Sequence, residues 1–319
     1  MDGHFKTRTA SFDVVITWVD GADPRWRASR AAHQGAIIAG ATLATSNVEG
    51  RFRDNGELRY LLYSLRTFCR DLGRVFLVTD GQRPAFLAEF PEVVPVDHRD
   101  FIPADCLPTF SSRAIEAWLH RIPGIAEHFV AFNDDVFLMR PAGFEDFFGR
   151  RGCVVYLTDE PLPACGDGRT LSGHNDALNA RRWMLAHYGR SSIDAIGEHS
   201  PKGIRTSWMA QLEGLHPAIF REVRQEKFRQ LKGQSILANL YGDWCLTQGR
   251  GEVRRNQCAY LFTDDLETSP QQVAAFIESD VLGRKLSLCI NDKGDDREIS
   301  AAQRVIKLIM DRVFAREAA

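Results

Sequence analysis

The sequence predicts an α/β protein with a mostly parallel sheet flanked by helices. Three observations carry this. Apolar runs of strand length alternate with amphipathic stretches of helix length through the first half of the chain. Each strand-like run stops in acidic or small residues. The chain, 319 residues with 44% hydrophobic side chains, is long enough to bury a core without disulfide help. The balance of 40 Lys and Arg against 42 Asp and Glu gives a formal charge of −2 and no general pull toward polyanions, which sets nucleic-acid binding aside. Cysteines at 69, 106, 153, 165, 245, 258 and 289 form no close pair of the zinc-binding kind and read as reduced thiols of a cytoplasmic protein. The start, MDGHFKTRTASFD, lacks a signal-peptide apolar run, and nowhere do some 18 apolar residues follow one another, so neither export nor a membrane span is expected.

The elements follow in order. DVVITWV (13–19) reads as a strand. AAHQGAIIAGATLATSNVEG (31–50) is too rich in small residues to pack firmly and reads as a mobile loop over the site. ELRYLLYSLRTFC (57–69) is the first helix, RVFLVTD (74–80) and VVPVDH (93–98) are strands, SRAIEAWLHRI (112–122) is a helix and HFVAFNDD (128–135) a strand. Thr109, Ser111 or Ser112 can cap the helix after Pro108, and free amides there can hold a phosphate or serve only the helix itself. Residues 141–260 read as mainly helical: CVVYLT (153–158) is a candidate strand, whereas NDALNARRWMLAHYG and HPAIFREVRQEKFRQL read as helices closed by Gly189 and Gly233. Ser269 and Pro270 open a further helix, and KLSLCIND (285–292) is a strand. In the last helix, within 299–316, Val305, Ile306, Ile309, Met310 and Val313 share an apolar face among Arg304, Lys307, Arg312 and Arg316. Core packing is the expectation for it and a basic membrane-surface contact the alternative. The chain thus divides into a core of 1–140 and 261–298, an insertion of 141–260 and a terminal helix of 299–319.

In a parallel sheet the carboxyl edge is where ligands bind, which makes the strand ends candidate site residues: Asp20 and Gly21, Asp80 and Gly81, Asp97 and His98, Asn133 with Asp134 and Asp135, and Asn291 with Asp292. The Asn-Asp-Asp group supplies hard oxygen ligands suited to Mg²⁺ or Mn²⁺ bridging to substrate phosphates, although the same residues also make good turns. RFRDNGELRY (51–60) has Asp54 or Asn55 as helix cap and Glu57 in the first turn; Arg51, Arg53 and Arg59 can clamp phosphate or pair with neighbouring acids. His199, before Ser200 and Pro201 and between Gly197 and Gly203, reads as a loop imidazole able to take a proton from a hydroxyl, or as a structural histidine. Arg229, in KFRQ, is placed at a helix end with the same two readings.

Taken together, DVVITWVDGADPRW (13–26), RFRDNGELRYLLYSLR (51–66), VFLVTDGQRP (75–84), LPTFSSRAIEAWLHRIPGIAEHFVAFNDDVFL (107–138), HSP (199–201), KFR (227–229) and CIND (289–292) resemble the Stealth family of sugar-1-phosphate transferases. That family includes bacterial capsular polysaccharide phosphotransferases and the catalytic part of animal N-acetylglucosamine-1-phosphotransferase. The resemblance implies a Rossmann-like (GT-A-like) fold and transfer of a hexose 1-phosphate from a UDP-sugar donor to a glycan hydroxyl, with capsular polysaccharide favoured as acceptor over protein. It implies Mg²⁺ (or Mn²⁺) at Asp134, Asp135, Asn291 and Asp292. His199 becomes the general base with Asp135 in reserve, Arg229 a phosphate clamp, and Trp18, Asp20, Gly21, Arg53, Asp54, Asn55, Asp80 and Asn133 the donor pocket. Two alternatives stay open: a metal-dependent glycosyltransferase releasing UDP, and a nucleotide-sugar-binding protein without turnover.

Overall fold

Strand β1 (Phe12–Thr17) turns Phe12, Val14 and Ile16 into one apolar cluster and Val15 into another, as a strand buried on both faces must. The computed structural model describes residues 11–36, 47–162, 172–262 and 270–292, together with 306, 307, 310, 311 and 314. After β1 comes a helix that the periodicity did not suggest, α1 (Pro24–His33): Asp23 Oδ1 accepts from the amide of Arg25 at 2.8 Å, and Pro24 occupies the first turn. The loop expected over 31–50 therefore begins later; its part from 37 to 46 lies outside the described residues. Helix α2 (Glu57–Phe68) buries Leu58, Leu61, Leu62 and Leu65 against β1 at the i, i+3, i+4 spacing, each worth about 1.5–3 kcal/mol of transfer free energy. It starts at Gly56, whose φ of +92° favours a residue without Cβ.

The chain continues through β2 (Leu72–Thr79), β3 (Val93–Asp97), α3 (Ser112–Glu116), β4 (His128–Asn133), β5 (Val136–Leu138), α4 (Phe144–Phe147), β6 (Phe148–Gly149) and β7 (Gly152–Pro161). Next come α5 (Ser172–Tyr188), β8 (Ala195–Gly197), β9 (Lys202–Arg205), α6 (Thr206–Leu215), α7 (Pro217–Arg224) and α8 (Tyr241–Thr247). Then follow β10 (Gly251–Arg255), β11 (Cys258–Phe262), α9 (Pro270–Phe276) and β12 (Ser287–Asn291). The cap proposed at Ser269 falls outside the described residues.

The central sheet runs β3-β2-β1-β4-β9, with the first four strands parallel and β9 antiparallel at the edge. Its register pairs Thr17 with Val78 and Asn133, and Thr79 with Asp97, so the residues following β1, β2, β3 and β4 emerge along one carboxyl edge. One apolar cluster lies between this sheet, α2 and the smaller sheet β11-β12-β5; the other lies between the opposite face and α5 to α8. Fully buried Ile306 and Met310 join the first cluster, and the Tyr60 hydroxyl donates to Asp311, so these two residues of the terminal helix pack on the core. Val305, Ile309 and Val313 lie outside the described residues.

Three expectations are corrected. The segment 141–260 is mixed rather than mainly helical: β6 to β8 and β10 form a separate sheet, and β9 completes the central one. β7 contains the candidate strand 153–158, whereas β6, β8, β9 and β10, of two to five residues, are too short for a period of two to show against the helical background. The helix read from His216 through Leu231 ends at Arg224, because the Phe110 amide and the Thr109 hydroxyl hold the carbonyls of Lys227 and Glu226 in a tertiary strap. Likewise 112–122 is one short α-helix followed by a single 3₁₀ turn at Leu119–Arg121.

Candidate active site

The carboxyl edge opens into a cleft of about 1080 Å³, its mouth included, whose lining contains Trp18, Arg51, Arg53, Asp80, Asn133, Asp134, Asp135, His199, Arg229, Asn291 and Asp292. Residues up to 275 positions apart in sequence meet here because parallel strands deliver their ends together. β4 ends at Asn133, the chain turns at Asp134 and Asp135, and β5 leaves antiparallel to β12. That pairing brings the end of β12 alongside the turn: the Ile290 amide donates to the Asp135 carbonyl at 3.0 Å, and the Asn291 side-chain amide donates to Asp135 Oδ2 at 3.0 Å.

Asp135 has two unlike oxygens. Oδ2 accepts from Asn291 and, at 3.4 Å, from the Cys289 thiol, whereas Oδ1 is buried without a hydrogen bond and faces His199 Nε2 at 3.6 Å. His199 Nε2 is likewise buried and unbonded. Burial alone would raise the Asp135 pKa, but the histidine, Asn291 and Cys289 outweigh it and keep the carboxylate below its ordinary value. Its neighbour Asp134 is raised well above the usual range by burial and by the charges of Asp135, Glu57 and Asp54, and accepts no hydrogen bond from a described side chain. Glu57 is pushed up to about 8, first by burial, with the hydrogen bonds from Asn55 opposing. Four acids thus share a corner of the protein where their mutual repulsion calls for a cation or a proton.

The opposite wall is basic. Arg229 donates to Ser112 Oγ at 2.6 Å but pairs with no described carboxylate; burial, and then the charges of Arg51 and Arg113, bring its pKa down to about 10. Arg51 donates to Asn291 Oδ1 at 3.0 Å, and Arg53 pairs with Asp292 Oδ2 at 2.8 Å, an oxygen that also accepts from the Asn55 amide. Arg113 is satisfied by Asp176. Arg59, by contrast, pairs with Glu89 on the surface and takes no part.

Local structure holds each group. His199 lies on the loop from β8 to β9, fixed by Lys202, whose ammonium donates to the Glu198 carbonyl and to Ser200 Oγ at 2.7 and 2.8 Å. Arg229 is carried by the strap after α7, where Phe110 stacks on Phe228 at 5.2 Å and meets Trp26 edge-on at 5.5 Å. Asp20, Gly21, Asp54 and Asn55 stand behind the lining. The Asp20 carboxylate accepts from the Ala22 amide, Asp54 from the Gly56 amide, and Gly21 donates to the Phe52 carbonyl at 2.7 Å, so close that a Cβ would lie 2.3 Å from that oxygen. These residues shape the wall rather than face the cavity. The short α3 offers one turn only, with Ser111 Oγ given to Glu226 and Ser112 Oγ to Arg229.

Sequence reasoning missed Glu57 as a cleft residue, taking it only for a first-turn acid, and noted His98 at a strand end without giving it a part in the site. His98, after β3, is held neutral by burial with a pKa near 4, and its buried Nδ1 lies 3.9 Å from Asp80 without a hydrogen bond. The signal for it was present: it follows a strand end as Asp80 does.

The residues fit a divalent cation. Asp135 Oδ1 and His199 Nε2 are both buried without a hydrogen bond, Asp134 beside them accepts from no described side chain, and ligand atoms of Asp135, His199 and Cys289 lie within 4.8 Å of one another. Cys289 is the weakest of these, since burial and Asp135 raise its pKa well above the ordinary value and keep it a thiol that donates. Asn291 and Asp292 reach the cleft, but the Asn291 carbonyl and Asp292 Oδ2 are taken by Arg51 and Arg53.

Two family models match the chain: Stealth protein conserved region 1 over residues 11–33 and conserved region 2 over residues 51–155. Capsular polysaccharide phosphotransferase LcbA of Neisseria meningitidis is 30% identical over 297 residues, covering 90% of this chain and 79% of LcbA. The chain belongs to the Stealth family. Exopolysaccharide phosphotransferase SCO6023 of Streptomyces coelicolor is 35% identical over 289 residues, and exopolysaccharide phosphotransferase CpsY of Mycobacterium tuberculosis 30% over 322. This Stealth chain spans about half the length of these two relatives, 47% and 59%. Among solved structures, the apo form of mouse xyloside xylosyltransferase 1 aligns with a TM-score of 0.43 at 10% identity, over 88% of this chain and 97% of that one. The two Stealth regions contain Trp18, Arg51, Arg53, Glu57, Asp80, His98 and Asn133 to Asp135; His199, Arg229, Asn291 and Asp292 lie beyond them and come to the cleft through the fold. No described helix is long and apolar enough to cross a membrane.

Proposed function

We propose that this Stealth chain transfers a hexose or N-acetylhexosamine 1-phosphate from a UDP-sugar to a hydroxyl of a glycan, releasing UMP, in the synthesis of a capsular or exopolysaccharide. The observation that carries this reading is the charge arrangement of the cleft: Arg229, which pairs with no described carboxylate, stands beside Arg51 and faces the adjacent acids Asp134 and Asp135. A diphosphate with a divalent cation satisfies both sides at once. The names of LcbA, SCO6023 and CpsY, all phosphotransferases of polysaccharides, support the same assignment.

In the proposed reaction the acceptor oxygen attacks the β-phosphorus of the donor. A new P–O bond forms, the bond from β-phosphorus to the bridging oxygen breaks, UMP departs with that oxygen, and the sugar keeps its anomeric C–O bond. Arg229, and Arg51 with it, bind the transferred phosphoryl oxygens, in reach of the charge that develops there. His199 takes the hydroxyl proton, with the Asp135 carboxylate 3.6 Å from its Nε2 to stabilise the imidazolium. Asp134 and Asp135 would hold a divalent cation, with Asn291 orienting Asp135 and Asp292 anchored by Arg53 at the cleft's edge, and the cation would supply charge neutralisation for the diphosphate. Trp18, Asp80 and Asn133 line the donor's side of the cleft, while Asp20, Gly21, Asp54 and Asn55 hold its wall and Arg53 anchors Asp292. Phosphorus NMR of the products tests the proposal. A phosphodiester signal with UMP release is expected; UDP release with no phosphorus in the product assigns a glycosyltransferase instead, and nucleotide binding without turnover assigns a binding protein.

A further inference from the structure

A second cavity, about 1820 Å³ with its open mouth, adjoins the first and shares Arg51, Ser112, Asn133, His199 and Arg229 with it. His199 therefore stands in the partition, with the acidic cleft and its arginines on one side and this chamber on the other. The chamber's own lining has a different chemistry. Glu116, on α3, points its carboxylate there with no hydrogen bond or ion pair to a described residue. Asn239 has a side-chain amide with no described partner, and its Oδ1 lies 3.8 Å from where a Cβ on Gly197 would be. Tyr260, 42% exposed, packs edge-on against Phe262 at 5.0 Å and against the His199 ring at 5.8 Å.

We propose that this chamber binds the sugar ring of the acceptor, with Tyr260 stacking on the ring's apolar C–H face and Glu116 and Asn239 taking its hydroxyls, so that one hydroxyl reaches His199. An exposed aromatic beside unpartnered carboxylate and amide groups matches a molecule that is apolar on its face and hydroxylated around its rim. The carboxylate of Glu116 disfavours the diphosphate on this side, although Arg113, Arg229 and Lys202 share the lining with it. The proposal rests on the transfer reading for the identity of its ligand as acceptor, but binding of a sugar there does not depend on which bond the enzyme breaks.

The test is saturation-transfer NMR on the full chain with the methyl glycosides of glucose, galactose, mannose and N-acetylglucosamine, alongside a titration with UMP as probe of the first cleft. The wild type should bind at least one glycoside. Tyr260→Ala and Glu116→Gln should each weaken it by about tenfold or more, as expected for removing one hydrogen bond to a charged group or one stacking surface, with UMP affinity and the melting temperature unchanged. Unaltered glycoside binding in both variants, or binding by none of the four glycosides to the wild type, overturns the proposal. Failure of the transfer reading shows separately, as absence of UMP release from a UDP-sugar by wild-type protein.

Discussion

Replacing Arg229 by methionine separates function from stability with opposite signs. The guanidinium is buried, faces the like charges of Arg51 and Arg113, pairs with no described carboxylate, and is held at a pKa of about 10. At 1.36 kcal/mol per pKa unit, keeping it charged costs the folded chain about 3 kcal/mol. Methionine fills a similar volume without the charge, and it gives up one hydrogen bond to Ser112, worth about 1 kcal/mol net. Urea denaturation of Arg229→Met without ligand should therefore show equal or greater stability, by about 1–2 kcal/mol. Steady-state release of UMP should fall by roughly 10²–10³, the loss seen when one preorganised donor to a developing oxyanion is removed. A variant that is destabilised by some 2 kcal/mol while keeping its turnover would refute the reasoning, since Arg229 would then be a structural cation.

Other perturbations address the remaining groups. Asp135→Asn should lower turnover by about 10²–10³ and abolish the rise in melting temperature that Mn²⁺ gives the wild type; EDTA should remove both activity and that rise, and full activity in EDTA contradicts the cation's role. Glu213→Gln should cost about 3–5 kcal/mol in denaturant titration, because it leaves buried Arg224 without its counter-charge. Burial pushes the Glu213 pKa up, but His120, Arg224 and Arg121 hold it well below the ordinary carboxylate range. Its contribution is therefore complete above the unfolded carboxyl's value near pH 4.3 and fades as pH falls below it, so stability of the wild type, and not of Glu213→Gln, should drop on that acid limb. Gly21→Ala forces its Cβ onto the Phe52 carbonyl, which must move; a loss of about 1–3 kcal/mol in stability is expected, and unchanged stability shows that the 51–55 wall is pliant.

What could be read from the chain and what could not divide along a physical line. The strands β1 to β4 and the acids after them were legible because burial on both faces makes continuous apolar runs, and the turn that ends each run needs small polar residues. Helix α1 was missed although Asp23 and Pro24 mark its start, because its tail merges into the Ala- and Gly-rich stretch that reads as loop. The end of α7 could not be seen locally at all: it is set by hydrogen bonds from Thr109 and Phe110, more than 100 residues away, and the same strap brings Arg229 to Ser112. Strands β8 and β9 carry only three and four residues and exist through their partners. Within the site, the residue types at the strand ends were readable, but their pairing was not. Arg53 with Asp292 and Arg51 with Asn291 join positions some 240 apart, so the sequence left open which acids stay unpartnered for a cation.

The central claim is that the acids and arginines of the cleft together hold a diphosphate and a divalent cation. Paramagnetic relaxation of both phosphorus signals of a UDP-sugar, measured with Mn²⁺ and catalytic-site variants of the full chain, tests it most directly. The account predicts strong relaxation of both phosphates in the wild type that disappears in Asp135→Asn, with weakened donor binding in Arg229→Met. Relaxation unaffected by Asp135→Asn, or none in the wild type, would contradict it.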